Sequence, residues 1–347
     1  GRPARFERTS IVWNTILRKS NSWRENNLAT FAKVKPCINW FHHHHRSGHA
    51  RSAMKFGTVA IIGRPNVGKS TLLNRLLEQK VAIVSDKPQT TRTRILGVVH
   101  APGAQIALLD TPGLHKPQHL LNRRMVRTAV DTLEEADILY VLMDTTSSPG
   151  PGDLLVIDHV KGAVRKRPRP VILVLNKVDL VNKLKLLPVM ETYARLFGWT
   201  EVVPVSAETG DNVDRLLSVT VAHLSEGDAA YDADTVTDQS MRTLAAEMIR
   251  EKILHQTYEE VPYSVAVEID EFIEEGKLAR ISATVLVERE SHKAIVIGKH
   301  GERLKEVGTD ARREMEQIFG MKVFLQLWVK VREAWREDEH ALTELGY

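Results

Sequence analysis

Cysteine is almost missing from this chain of 347 residues: Cys37 stands alone. One thiol excludes a disulfide framework and suits a reducing compartment. Apolar runs are short, and none reaches the 18 residues of a membrane-spanning helix. There is no internal repeat and no low-complexity tract, so a repeat architecture is not expected. What remains is an ordinary globular balance, 43% apolar and 27% charged, long enough for two domains with sizeable cores.

The formal net charge of +4 is unevenly held. Residues 1–53 carry ten Lys/Arg against two Glu, and everything after them is net −4. That first segment also holds three of the six Trp, the His42 to His45 run and Cys37, without a clear amphipathic period. Three readings stay open for it: translation from upstream of the true start, an Arg-rich organellar transit peptide, or an RNA-binding arm. The expectation is a non-native or processed extension, outside the fold. The His run by itself is too short to argue for a metal site.

From residue 57 to 227 short β-branched runs alternate with helical patterns. Strands are expected at 58–62, 95–99, 105–109, 138–143, 171–175 and 202–205. Amphipathic helices are expected at 122–135, 153–166, 183–197 and 211–224. Such alternation predicts a mostly parallel sheet with helices on both faces, and a ligand at the carboxyl ends of its strands. The expected domain spans 54–227. Residues 225–239 are small, acidic and non-periodic, and 228–239 are taken as a linker. A second domain is expected over 240–340. Its order is a helix at 240–256, strands at 264–269 and 281–287, a short segment at 295–298, a helix at 302–318 and a strand at 322–331.

The sharpest motif is Gly63-Arg64-Pro65-Asn66-Val67-Gly68-Lys69-Ser70-Thr71. It follows a strand and opens a helix, as a phosphate-binding loop must. Its glycines let backbone N–H groups wrap phosphates at a helix N-terminus. Lys69 would reach the β and γ phosphates and Ser70 would bind Mg²⁺. Asn176-Lys177-Val178-Asp179 follows a buried strand, and a carboxylate there accepts both N–H donors of a guanine edge, a pattern adenine does not offer. At the next strand end, a backbone N–H of Ser206-Ala207 is placed to read the guanine oxygen. Asp110-Thr111-Pro112-Gly113-Leu114 supplies a carboxylate for Mg²⁺ through water and an N–H to sense the γ-phosphate. The polar stretch 85–94 holds Thr90 and Thr91, one of which would complete the Mg²⁺ shell. Both loops would act as switches, ordered by the γ-phosphate. Leu114 stands where a Gln would orient water in Ras-like enzymes, so hydrolysis must rely on backbone groups, ions or a partner.

In the second domain, Ile297 leads into Gly298-Lys299-His300-Gly301, a Gly-x-x-Gly loop of the kind that clamps a nucleic-acid backbone. The order helix, strand, strand, helix, helix, strand is that of the KH fold in its bacterial topology. Residues 293–332 hold nine Lys/Arg against five Asp/Glu, while 256–275 hold seven acids and no Lys/Arg. Lys293, Lys299, Arg303 and Lys305 are the expected phosphate contacts. Arg312 and Arg313 read as a solvated helix face, and Trp328 and Trp335 as packing residues. On residues alone, an ATP-using kinase and a non-catalytic RNA scaffold that merely holds GTP also stay open.

Together these elements resemble the translation-associated GTPases, and from Met54 onward the chain resembles the Era family. The likeness is carried by Gly63 to Ser70, Gln89-Thr-Thr-Arg92, Asp110 to His115, Asn176 to Asp179, Ser206-Ala207, Val236 to Gln239, Glu260 to Ser264, Ile297 to Gly301 and Leu327 to Lys330. A second phosphate-loop set, which the tandem-domain relatives would need, is absent from the sequence. The resemblance implies an α/β P-loop GTPase domain followed by an α+β KH domain of type II. It picks Thr91 as the metal ligand and associates Asn66 with a K⁺ ion bridging the phosphates, making Lys69, Asn66, Gly113 and Thr91 the catalytic set. It further implies binding near the 3′ end of small-subunit ribosomal RNA and a role in assembling the small ribosomal subunit. A monomer in the cytoplasm is expected, with peripheral inner-membrane association in some members.

Overall fold

The computed structural model describes residues 54–259 and 261–347. The expectations for residues 1–53, and Glu260 of the family likeness, lie outside them.

The six expected strands form as β1 (Met54–Ile62), β2 (Ile95–Ala101), β3 (Ala104–Asp110), β4 (Ile138–Asp144), β5 (Val171–Asn176) and β6 (Glu201–Pro204). They line up as β2-β3-β1-β4-β5-β6. All neighbouring pairs are parallel except β2 with β3, which form an antiparallel hairpin. Every residue of β3, β4 and β5 is buried. Their unbroken apolar runs belong to strands covered on both faces. Helices α1 (Lys69–Leu77) and α5 (Val213–His223) pack on one face through Leu72, Leu73, Leu76 and Leu216. On the other face lie α2 (Leu120–Glu135), α3 (Pro151–Lys166) and α4 (Lys183–Ala194), through Ala129, Leu133, Val156, Val160, Met190 and Tyr193.

A short strand β7 (Ser225–Gly227) pairs antiparallel with the start of β1, inside the stretch read as non-periodic. Its three exposed residues carry no alternation, so only the pairing reveals it. The linker beyond it is held to the edge strand. Val98 N–H donates to the Val236 carbonyl at 2.8 Å, Thr237 Oγ1 to the Leu96 carbonyl at 2.7 Å, and Gln105 bonds the backbone of Ala230 and Tyr231. The bonds to Val98 and Leu96 engage backbone groups of the edge strand β2, while Gln105 on β3 holds the linker through its side chain.

The second domain runs α6 (Met241–Gln256), β8 (Ala266–Glu275), β9 (Leu278–Val287), α7 (Glu290–Ile297), α8 (Glu302–Phe319) and β10 (Lys322–Val331). Its sheet order is β10-β9-β8, with β8 antiparallel and β10 parallel to β9. This is the expected KH order. The first strand starts two residues later than expected and continues six further, because its outer half alternates around acids rather than apolar residues.

A C-terminal helix α9 (Glu339–Glu344) was not expected. It brings Ala341 and Leu342 against Leu121 and Met125 of α2, with Trp335 and Ala266 completing a cluster between the domains. Leu342 is fully buried there. Replacing it by Ala should cost about 2–5 kcal/mol of local docking stability. Urea denaturation together with limited proteolysis of the last 13 residues (335–347) would detect the loss; an unchanged midpoint and cleavage rate would contradict the packing.

Candidate functional site

The loop after β1 has an unusual backbone because it must curl its N–H groups inward. Asn66 and Gly68 have φ of 64° and 94°. A Cβ on Gly68 would sit 2.3 Å from Asn176 Nδ2, and one on Gly113 would sit 2.7 Å from the Pro65 nitrogen. These two glycines let the phosphate loop, β5 end and β3 end close on one another.

At the head of α1, Ser70 Oγ lies 2.8 Å from Thr91 Oγ1 and 2.7 Å from Asp110 Oδ2, and Thr91 Oγ1 lies 3.3 Å from the same oxygen. The other oxygen, Asp110 Oδ1, is buried and accepts no hydrogen bond of ordinary geometry. Burial raises the Asp110 pKa despite Lys69 nearby, and burial pushes Lys69 down to about 8. Hydroxyls around a desolvated carboxylate fit a hard divalent cation bridging to phosphate oxygens. Thr90 does not join them: its hydroxyl donates to the Lys87 carbonyl at 2.6 Å. Lys69 Nζ donates to the Arg64 carbonyl at 3.1 Å, within the cavity lined by Pro65, Asn66, Gly68, Ser70, Thr71, Gln89, Thr91 and Gly113. Leu114 is buried, and its N–H donates to the Gly63 carbonyl at 3.1 Å. Its side chain belongs to the core. Thr111 Oγ1 donates to the Ile61 carbonyl at 2.8 Å, which holds the loop start against β1. The Arg64 side chain pairs with Asp153 at 3.1 Å.

A second cavity of ≈ 260 Å³ adjoins the first and shares Gly68 and Thr71 with it; Asn176, Lys177, Asp179, Leu180, Ala207 and Glu208 complete its lining. Asn176 is a stitch. Its Nδ2 donates to the Val67 carbonyl at 2.8 Å, and its Oδ1 accepts from Ala207 N–H at 2.9 Å. Ser206 N–H donates to the Asp211 carbonyl at 3.0 Å. Both N–H groups of Ser206-Ala207 are engaged within the protein, and a base oxygen in this cavity would share the Ala207 N–H with Asn176. Lys177 Nζ reaches the Asn66 carbonyl at 2.8 Å and Asp144 Oδ2 at 2.7 Å. Burial would raise the Asp144 pKa, but Lys177 and Thr146 hold it below the usual value. Val178 and Asp179 lie in a single 3₁₀ turn, and Asp179 is exposed.

In the second domain, Gly298, His300 and Gly301 have φ of 73°, 51° and 79°. Beside this loop, Gly301, Leu304, Lys305, Gly308, Thr309, Arg312, Leu325 and Leu327 line a cleft of ≈ 400 Å³ between α8 and β10. Lys305 and Lys299 face solvent, while Lys293 lies 3.9 Å from Glu290 and Ile297 is half-buried. One expectation is corrected, the packing role of Trp328. Arg303 donates to the Ile295 carbonyl and so caps α7. Arg312 lines the cleft, although it also pairs with Glu316 at 3.1 Å; the acidic neighbour tethers it without removing it from the wall. Trp328 is 58% exposed on the outer face of β10, since the inward positions of that strand fall to Leu325 and Leu327. Trp335 is fully buried, as a packing residue should be. The cleft floor was missed; Gly308, one turn along α8 from Lys305, was the available signal, because a Cβ there would come within 3.3 Å of Leu327 on β10.

Residues 58–177 match the family described as 50S ribosome-binding GTPase, and residues 260–336 match the KH domain. The chain is 48% identical to GTPase Era of Geobacter metallireducens over 293 residues, covering 84% of this chain and 97% of that protein. It is 48% identical to GTPase Era of Syntrophus aciditrophicus over 305 residues, 87% of this chain and 98% of that one. Among solved structures it is similar to a variant of Aquifex aeolicus Era bound to GDP·AlF4⁻, at 43% identity and TM-score 0.81, covering 85% of this chain and 99% of that chain. The same figures hold for Era in complex with MgGDPNP and nucleotides 1506–1542 of 16S ribosomal RNA.

Two substitutions separate stitching from base reading. Asn176→Ala leaves a buried carbonyl and a buried N–H unpaired, each worth about 1–3 kcal/mol. It should weaken GTP and GDP alike, by roughly 10- to 100-fold, in a fluorescent-nucleotide titration, with base preference kept. Asp179→Asn should instead move preference toward xanthine nucleotides; retention of full guanine preference would remove Asp179 from base recognition.

Proposed function

The chain belongs to the Era family of GTPases, and we propose that it hydrolyses GTP to GDP and phosphate with Mg²⁺ while its KH domain holds small-subunit ribosomal RNA near the 3′ end, assisting assembly of that subunit. The observation that carries the nucleotide half is the pair of adjoining cavities. One ends on Lys69, Ser70 and Thr91, the other on Asn176 and Asp179, and Gly68 and Thr71 belong to both. A single ligand with phosphates at one end and a base at the other fits them.

Bound Mg²⁺ would neutralise charge on the β and γ phosphates. Ser70 and Thr91 would hold it directly, and Asp110 through water. The ammonium of Lys69 meets the phosphates, and the Gly113 N–H meets the γ-phosphate, so the two switch loops order only around GTP. Leu114 has no group to orient water. Asn66 bears on this: its amide donates to the Asp86 carbonyl of the first switch loop, leaving Oδ1 for a cation. A K⁺ ion held by Asn66 beside the phosphates would supply charge where an arginine finger acts in other enzymes.

For RNA, Lys299 and Lys305 meet phosphates at the Gly-x-x-Gly loop while a base enters the cleft floored by Leu304, Leu325 and Leu327. The relative solved with a 16S ribosomal RNA segment supports this choice of partner. The family likeness is also the support for a monomer acting in the cytoplasm with peripheral membrane contact.

Multiple-turnover phosphate release should be faster in KCl than in NaCl; equal rates would remove K⁺ from the mechanism. Lys299→Ala and Lys305→Ala should each lower the salt slope of single-stranded RNA binding by about 0.7. RNA should bind more tightly beside a GTP analogue than beside GDP, and RNA should raise the preference for the analogue over GDP by the same factor. Equal RNA affinity in both nucleotide states would show that the two sites act independently.

A further inference from the structure

Thr91 is flanked by two residues that the second domain holds. On one side, the Thr90 carbonyl accepts from the Arg250 guanidinium of α6. On the other, the Arg92 side chain leaves the nucleotide and enters a socket built from the far end of the chain. Its Nη1 donates to the Val265 carbonyl at 2.7 Å and to Tyr347 Oη at 3.2 Å, and its Nη2 to the Tyr263 carbonyl at 3.3 Å. The guanidinium carbon lies 5.5 Å from the Trp335 ring centre and 5.3 Å from that of Tyr347. The rings are 6.0 Å apart at 32°, so the cation is held by two aromatic faces. Arg92 is 4% exposed. The socket is itself braced: Trp335 Nε1 donates to the Ser264 carbonyl at 3.0 Å, and Ser264 Oγ lies 2.9 Å from His292 Nδ1 on α7, the helix that runs into the Gly-x-x-Gly loop.

A buried guanidinium is costly to move once it has such partners. The backbone at Thr91 is therefore set from the RNA-binding side. We propose that Arg92 is a positioning residue for GTP hydrolysis: docked between Trp335 and Tyr347, it holds Thr91 beside Ser70 and Asp110, so that full turnover requires the C-terminal segment to be seated. This rests on the reading of Thr91 as a metal ligand. GDP, which has no γ-phosphate to order the loop, does not depend on it.

The test uses the full chain in single-turnover hydrolysis across a Mg²⁺ titration. Arg92→Gln should lower the rate by about 10- to 100-fold, as expected for misplacing a catalytic group by about 1 Å, and raise the Mg²⁺ needed for half-maximal rate. GDP affinity should stay within about threefold of the parent, a change of under 1 kcal/mol. Arg92→Lys should not rescue, because an ammonium neither forks nor stacks as a guanidinium does. Tyr347→Leu, made outside the G domain, should give the same signature. Combined with Arg92→Gln it should add little, since both open one contact. A parental rate and Mg²⁺ requirement in Arg92→Gln or in Tyr347→Leu would overturn the proposal. Thr91→Ala run in parallel keeps the two readings apart: if it alone leaves hydrolysis unchanged, the metal-ligand assignment fails and not the socket. If Arg92→Gln does not fold, Tyr347→Leu and Tyr347→Phe decide, the latter losing one hydrogen bond but keeping the ring and so falling between parent and Leu.

Discussion

Burying Asp110 is the constraint around which this molecule is arranged. The carboxylate ends β3 with no exposure to solvent, and burial works against its charge. It persists because Ser70 and Thr91 donate to one oxygen and Lys69 lies close, while the other oxygen is buried without a hydrogen-bond partner. Three segments meet there: the phosphate loop brings Lys69 and Ser70, the 85–94 loop brings Thr91, and the strand brings the carboxylate itself. A charge that is tolerable only while three segments converge makes their positions interdependent.

That dependence extends into the second domain. Val84 N–H donates to Glu251 at 2.8 Å, His255 Nε2 lies 2.9 Å from the Val84 carbonyl, and Lys80 bridges Glu251 and Glu314. With Arg92 and Arg250, these contacts line the whole approach to the first switch loop with groups from α6, α8 and the C-terminal segment. The second switch region is met separately, where α2 packs its Leu121 and Met125 on Trp335 and Leu342. The loop 85–94 and the helix α2 therefore both lean on the second domain. The linker, hydrogen-bonded along β2, adds little freedom between them.

The KH unit separates its charges for a similar reason. Glu268, Asp270, Glu271, Glu274 and Glu275 gather on β8, the strand farthest from the cleft, while Lys299 and Lys305 stand at its mouth. An acidic far edge discourages backbone phosphates from binding the wrong face, and leaves the apolar floor between α8 and β10 as the place where a base can be both stacked and flanked by cations.

By itself the sequence determined the parts whose physics is local. Strand–helix alternation gave the layers, Gly63 to Thr71 the phosphate loop, Asn176 to Asp179 the turn proposed to read the base, and Gly298 to Gly301 the proposed clamp, because each is a short segment whose backbone needs particular residues in a row. Leu114 could be read as unable to orient water for the same reason. Only the tertiary structure decided that Thr91 rather than Thr90 meets Ser70, a choice the residues left open and family likeness alone had made. It also decided that Ala207 N–H is taken by Asn176, that Arg312 lines the cleft, that Trp328 is exposed while Trp335 is buried, and that α9 seats against α2. Those outcomes join residues as far apart as Arg92 and Tyr347. Local periodicity carries no record of such partners, since the same arginine or tryptophan satisfies its own segment equally well whether it ends in water or in another domain.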